Sequence, residues 1–467
     1  MNKKFSTTTP NSHLFLEEDM RLFEFPQVFG ASAIWHKNKM ENKIATYDLF
    51  VRDLPKNRNF MLLGGVEEII KGILNWKYSD DEIDFLINEK IITDGFANYL
   101  RNFKFTGHVY AMREGTAFFP NEPVIRVTAL IIEGNLITLF LINSITSNTI
   151  FFTKFIRSII AAKGKAVIGP GGIRAQGFDS AMKACRAAHL CGTSIILPSF
   201  YRKYNMKMPS VITIGYHAYI KSFPAEIDAM RSISETFPHR AISLMIDTYE
   251  IDAGLKNAIT VIKELKRKNE PLPNIFIDSG DLFELAKMAR RELENAGLDA
   301  VKIAIASNLD EFRIDEYIKR GIPADSFVVC TEGITSSDDP KLETVYKMAE
   351  LRYRTTINNL AKLTKGKASL PGRKNVFRIY ENGKMARDII GEENENLGEP
   401  LLIKMIENGE LIYDLPEMDE IRSYIKEQVK KLPEPLLEID KQNKYDVMVS
   451  KKLEELLEEV KREHLNK

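Results

Sequence analysis

The stretches ISLMIDTY (242–249), NIFIDSGD (274–281) and VKIAIASN (301–308) decide the fold. Each opens as a short apolar run rich in β-branched residues, and each is followed by a segment of helical period. The same alternation extends outward in both directions. Toward the N-terminus it runs KAVI (165–168) then 178–190, TSIIL (193–197) then 198–205, and SVITI (210–214) then 218–235. Toward the C-terminus helical segments at 252–268, 281–297 and 309–320 separate the runs, and SFVVC (326–330) closes the series. Strands that are apolar throughout and spaced by helices make βαβ units and a parallel sheet buried on both faces. About seven or eight such units predict an α/β protein with a parallel α/β barrel, closed or partly closed, rather than an open sheet.

The flanks read differently. ATYDLFV (45–51) and FTGHVYAM (105–112) have the composition of strands, and VEEIIKGILNW (66–76) that of an amphipathic helix. Ser79 and Glu82 stand at capping-box spacing ahead of IDFLINEK, so a helix starts there. Gly134 to Gly164 reads as one long helix. Past residue 340, FRIY and PLLIKMIENGELIY read as strands, and 416–431 and 445–463 as charged helices that dock on the body. The expected division is an α+β domain over 1–140, the barrel over 141–350, and a basic loop with returning strands and C-terminal helices over 351–467.

Composition narrows the function. The chain of 467 residues has 44% apolar and 28% charged residues, with Lys+Arg 65 balancing Asp+Glu 65. That neutrality argues against nucleic acid or an anionic membrane as a bulk partner. It conceals unlike parts: 351–378 holds eight Lys or Arg and no acid, whereas 391–420 holds ten Asp or Glu and one Lys. Three cysteines, 185, 191 and 330, have no zinc-ligand spacing and fit a reducing compartment. The uncharged run from Gly134 to Thr153 carries Asn135, Asn143 and Asn148 and reads as a buried helix rather than a membrane span. MNKKFSTTTPNSHLF lacks the apolar stretch of a signal peptide, and a cytoplasmic location is expected.

In a parallel α/β barrel chemistry gathers where the strands end. The residues there are Gly169-Pro170-Gly171-Gly172-Ile173-Arg174, Gly215-Tyr216-His217, Asp247-Thr248-Tyr249, Asp278-Ser279-Gly280-Asp281, Ser307-Asn308 and Thr331-Glu332-Gly333. A single aspartate at such a place is an ordinary helix N-cap. Several on one rim can hold a divalent metal or a developing positive charge, with Ser-Gly and Thr-x-Gly turns offering N–H groups to phosphate. The dinucleotide and Walker signatures are absent: GPGGIR lacks the third glycine, and TKGKAS lacks the earlier glycine and the hydroxyl after GK. The basic run 362–378 suits an anionic ligand, or is a solvated loop. Lys302 on VKIAIA has none of the company that a Schiff-base lysine of a barrel aldolase needs.

Together these residues resemble a known family. REGTAFFPNEPVIRV, Thr-Lys-x-x-Arg at 153–157, RAQG at 174–177 with CRAAHLCGTS, DTYEIDAG at 247–254, IDSGDL at 277–282, ASNLDE at 306–311, DDPKLETVYKMAE and KLTKGKASLPGRKNVFR occur in order. They are similar to those of the nicotinate phosphoribosyltransferases, which are type II phosphoribosyltransferases. The resemblance implies an irregular barrel with a second domain built from the N-terminal part and returning C-terminal strands. It implies transfer of phosphoribosyl from 5-phosphoribosyl 1-diphosphate to nicotinate, with ATP as co-substrate, Mg²⁺ as cofactor and a homodimer as the assembly. It also assigns residues: His217 as the phosphorylated histidine, Asp247 and Asp278 at the ribose and Mg²⁺, and Ser279, Gly280 and Thr331 in phosphate-binding turns. Lys154, Arg174, Lys367 and Lys374 are the expected further phosphate or substrate ligands.

The sequence departs from that pattern around the base. Phe25-Pro26-Gln27 stands where the family has a ring-stacking tyrosine, Ile173 replaces one of two arginines, and Ile195 an asparagine. Thr213-Ile214 takes the place of Gly-Thr, Phe276 that of an arginine implied to bind the substrate carboxylate, and Cys330 that of a glycine. The changes spare His217, Asp247, Asp278, Ser279 and Gly280. Two alternatives follow: a phosphoribosyltransferase with an uncharged acceptor base, or a silent homologue that only binds.

Overall fold

A computed structural model describes residues 20–169, 171–208, 212–213 and 216–465, with Met20, Ile212, Thr213 and Leu465 described by backbone alone. Pro170, Ile214 and Gly215, singled out in the sequence, lie outside the described residues. The chain divides into two compact units. The first takes residues up to 150, then 341–436 and 442 onward; the second takes 151–340 with 437–441.

The second unit is the α/β part. Its strands are β1 (Ala166–Ile168), β2 (Ile212–Thr213), β3 (Ile242–Met245), β4 (Asn274–Ile277), β5 (Ile303–Ile305) and β6 (Ser326–Val328). All neighbours run parallel in the order β1-β6-β5-β4-β3-β2, which sets the first strand beside the last. TSIIL does not make a strand. It contributes one parallel bridge, Ser194 to Ile168, before Pro198 opens the helix Pro198–Lys203. Proline has no N–H to extend a ladder and its fixed φ suits a first helical turn. The expected helix over 218–235 is two, His217–Lys221 and Glu226–Thr236, parted where Pro224 bars the preceding residue from helical backbone. The intervening helices Phe178–Cys191, Ile251–Arg267, Leu282–Asn295 and Glu311–Lys319 fall where the period placed them.

The first unit is built on an antiparallel sheet. Its order is Thr356–Asn359, Thr344–Tyr353, Ile44–Val51, Pro123–Leu130, His108–Ala111, Ile403–Glu407 and Glu410–Leu411. Segments far apart in the chain therefore share one sheet, with Ile44–Val51 central between Thr344–Tyr353 and Pro123–Leu130. One face of the central strand, Ala45, Tyr47, Leu49 and Val51, enters the core, and the other presents Thr46, Asp48 and Phe50. A second sheet joins Glu399–Pro400, Lys374–Glu381, Lys384–Glu392 and Val447–Val449. The capping box at Ser79 is present: its hydroxyl accepts from the Glu82 N–H and the Glu82 carboxylate accepts from the Ser79 N–H. The long helix predicted from Gly134 is interrupted at Ile137, giving Ile131–Leu136 and Thr138–Ala161. The latter has the length and mean hydropathy of a membrane span, yet 72% of its most apolar window is buried within the protein, as in a core helix.

Candidate active site

The strand ends of the second unit carry the site. β3 and β4 pair in register with Met245 opposite Phe276, so Asp247 and Asp278, two residues further along, emerge on one face. One oxygen of Asp247, Oδ2, accepts from the Asp278 backbone N–H at 3.0 Å and from the Ser279 hydroxyl at 2.7 Å. Its other oxygen, Oδ1, is buried without a hydrogen-bond partner among the described residues. A buried carboxylate oxygen left so is costly unless a cation, a donor or a positive charge arrives. Burial, reinforced by the Asp247 charge, raises the Asp278 carboxyl above the ordinary carboxylate range, and His217 works against that rise. Gly280 follows with φ +82°, a backbone that a side chain would strain, and a Cβ there would come within 2.8 Å of Leu285. Gly254 is constrained from the other side: a Cβ would lie 2.2 Å from the Ile246 carbonyl oxygen, so its absence lets the next helix pack on the end of β3.

Not every rim aspartate belongs to the site. Asp281 caps Leu282–Asn295 by accepting from the Phe283 and Glu284 N–H groups, and Asp310 caps Glu311–Lys319 through Arg313. His217 opens the helix His217–Lys221, and its Nδ1 lies 3.2 Å from the Thr248 hydroxyl. When Nδ1 donates to that oxygen, Nε2 carries the lone pair, the tautomer a phosphoryl acceptor needs. Thr248 was visible in the sequence beside Asp247 but had no role until the fold set it against the histidine. Arg174 is exposed with no partner among the described residues, and Thr331 starts the short helix Thr331–Thr335 after β6.

Lys154 is fully buried, its ammonium 2.6 Å from Glu311 and 2.8 Å from Asp338, and Arg157 one turn on also pairs with Glu311, at 3.1 Å. Lys374, in the first unit, is likewise buried. It pairs with Asp48 at 2.6 Å and donates to the carbonyls of Leu370, Pro371 and Gly372. Burial lowers its ammonium below the ordinary lysine range, against the pull of Asp48. Lys374 and Asp48 line a cavity of about 870 Å³ in the first unit, with Lys347, Ser369, Lys444 and Tyr445 among the other walls. Lys367 is exposed on the loop before it. No group of three or more His, Cys, Asp or Glu side chains converges as a metal site among the described residues.

Comparison with known proteins identifies the family. The nicotinate phosphoribosyltransferase N-terminal domain family matches residues 25–146, and its C-terminal domain family matches 392–457. A nicotinate phosphoribosyltransferase of Mycobacterium tuberculosis is 33% identical over 433 residues, covering 91% of this chain and 90% of the relative. That of Bacillus subtilis is 30% identical over 462 residues, covering 91% of each. The crystal structure of the human nicotinic acid phosphoribosyltransferase superposes with a TM-score of 0.81 at 19% identity, covering 94% of this chain and 99% of that one. It shows the shared fold. With relatives of this identity spanning nine-tenths of both chains, the chain belongs to the nicotinate phosphoribosyltransferase family.

Proposed function

We propose that the chain joins nicotinate to 5-phosphoribosyl 1-diphosphate, releasing diphosphate and forming nicotinate mononucleotide, and so serves NAD salvage. The relatives that cover nine-tenths of the chain bear that name. The observation in the fold that carries the reading is Asp247, oriented by Ser279 and the Asp278 N–H with one buried oxygen unused. As the ring nitrogen bonds to ribose C1, the C1–O bond to diphosphate breaks and positive charge gathers on the sugar. A fixed carboxylate beside that carbon needs no reorganisation to stabilise it.

Asp247 and Asp278 are the groups that would hold Mg²⁺: they leave neighbouring strands on one face, and the buried Asp247 has an oxygen without a partner among the described residues. The ion would supply charge neutralisation of the diphosphate. Arg174, Ser279, Gly280 and Thr331 would contact phosphate. Lys154 and Lys374 are left out of this reading because their ammonium groups are committed to buried carboxylates. ATP as a co-substrate phosphorylating His217, a homodimer and a cytoplasmic setting rest on the family resemblance, and the Thr248 contact supports the histidine's part.

The test is product formation from nicotinate and phosphoribosyl diphosphate with Mg²⁺, with and without ATP. Mononucleotide and diphosphate in equal amounts, made faster with ATP, are expected. No mononucleotide at any substrate concentration would leave the silent-homologue reading standing instead.

A further inference from the structure

Beneath the two carboxylates lies a row of apolar side chains. Met245, Phe276 and Ala304 are paired across β3, β4 and β5, each on the face from which Asp247 and Asp278 rise two residues later. One such step along a strand is about 7 Å, the length of a six-membered ring with one substituent. The row forms a buried cluster with Ala306, Ala229 and Ile220, and Tyr219, Phe223 and Val328 pack against it. Ile220 sits on the helix that His217 opens, so the cluster and the histidine share one element. Met245, Phe276 and Ala304 themselves offer no cation and no hydrogen-bond donor from their side chains. Phe276 keeps 8% of its surface exposed, more than any other member of the buried cluster.

A carboxylate lowered onto this floor would lose its water and gain no partner from these side chains. An uncharged carboxamide costs much less. We propose that Phe276 sets acceptor specificity, by giving the base a floor that does not recognise a carboxylate, and that the chain accepts uncharged pyridine bases alongside nicotinate. This rests on the phosphoribosyl transfer proposed above and concerns only the acceptor.

The experiment is steady-state kinetics with nicotinate and with its neutral amide, nicotinamide, at saturating phosphoribosyl diphosphate. An apolar wall discriminates between ligands by about 10–200-fold, whereas a site built to hydrogen-bond a group rejects analogues lacking it by about 10⁴-fold or more. The wild-type ratio of kcat/KM, nicotinate over nicotinamide, should therefore stay below about 200. Phe276→Arg should raise that ratio by about 100-fold or more, chiefly through a lower KM for nicotinate with kcat little changed. Phe276→Leu should leave it unchanged. A wild-type ratio above about 200 overturns the proposal, as does a folded Phe276→Arg enzyme with an unaltered ratio. Should Phe276→Arg fail to fold, competitive inhibition of the wild type by the two bases decides: inhibition constants within about 200-fold support it, and a wider gap overturns it. Loss of mononucleotide formation from both bases is a different result, which fails the transfer reading itself.

Discussion

Arg378 in the first unit and Asp247 in the second are both buried charges, and their surroundings differ in how completely they are answered. Arg378 is fully enclosed. It pairs with Asp388 through Nε at 2.9 Å and Nη2 at 2.6 Å, and Nη2 also donates to the Ala117 carbonyl at 2.8 Å. Asp388 in turn accepts from the Tyr445 hydroxyl at 3.0 Å. This network closes on itself and joins two strands to a C-terminal segment. Asp247 has one oxygen held by two donors and the other unanswered among the described residues. Closure of that kind fixes a fold, because removing either charge strands the other. A half-answered group held by its neighbours is strained toward a ligand, and its loss should fall on chemistry rather than on folding.

Two substitutions break the comparison most sharply. Asp247→Asn keeps an oxygen to accept from Ser279 and the Asp278 N–H but removes the charge. We expect kcat/KM to fall by about 10³-fold, as for other electrostatic groups at developing charge, while the melting temperature moves by no more than about 2 °C. Arg378→Met leaves Asp388 buried and uncompensated. It should cost about 3–5 kcal/mol, on the order of 10 °C in melting temperature, with kcat unchanged for the fraction that remains folded. Thermal unfolding and kinetics on the same preparations check both. If Asp247→Asn melts early or Arg378→Met loses kcat, the division between fold and chemistry is misplaced.

Lys154→Met sharpens the comparison inside the second unit. Its partner Glu311 retains Arg157, so the loss should be smaller, about 2–3 kcal/mol. The KM for phosphoribosyl diphosphate should not move, because the ammonium is spent on Glu311 and Asp338. A KM increase of about tenfold at unchanged stability would return Lys154 to the phosphate site.

That lysine shows where sequence reading stops. The alternation of short apolar runs with helical segments, and the capping box at Ser79, are local patterns and survive in the fold. Asp247, Asp278 and His217 stand out as candidates because they sit directly after apolar runs, and a parallel sheet brings such positions to one edge. Thr-Lys-x-x-Arg suggested an anion ligand, but i,i+3 spacing also sets Lys154 and Arg157 on one helix face, turned to a glutamate more than 150 residues on. Lys374 in PGRK meets Asp48 over a longer separation still. Neither pairing has a local signature, so a buried ion pair and a phosphate ligand look alike in sequence. The failed strand at TSIIL had a local cause in Pro198, outweighed in the reading by β-branched composition.

The smallest expected effect tests how closed the first unit's network is. Glu122 is fully buried beside Asp388 and accepts from the Phe119 N–H at 2.9 Å, while its other oxygen has no hydrogen-bond partner among the described residues. Burial and the Asp388 charge raise its carboxyl well above the ordinary range, with Arg378 pulling the other way. The folded state thus holds this proton more tightly than the unfolded chain. Its contribution is present in full below the unfolded carboxyl value and is lost as pH rises through the folded one. Glu122→Gln keeps the acceptor for Phe119, supplies a permanent donor toward Asp388 and has no proton to lose. The variant should match the wild type near pH 4.5 and exceed its stability by about 1–3 kcal/mol at pH 8, read as denaturant midpoints across that range. Because the comparison is a difference between two proteins that share every other titrating group, a gap that fails to widen with pH would mean Arg378 answers both carboxylates in their charged forms. The network would then be closed by charge alone, with no shared proton.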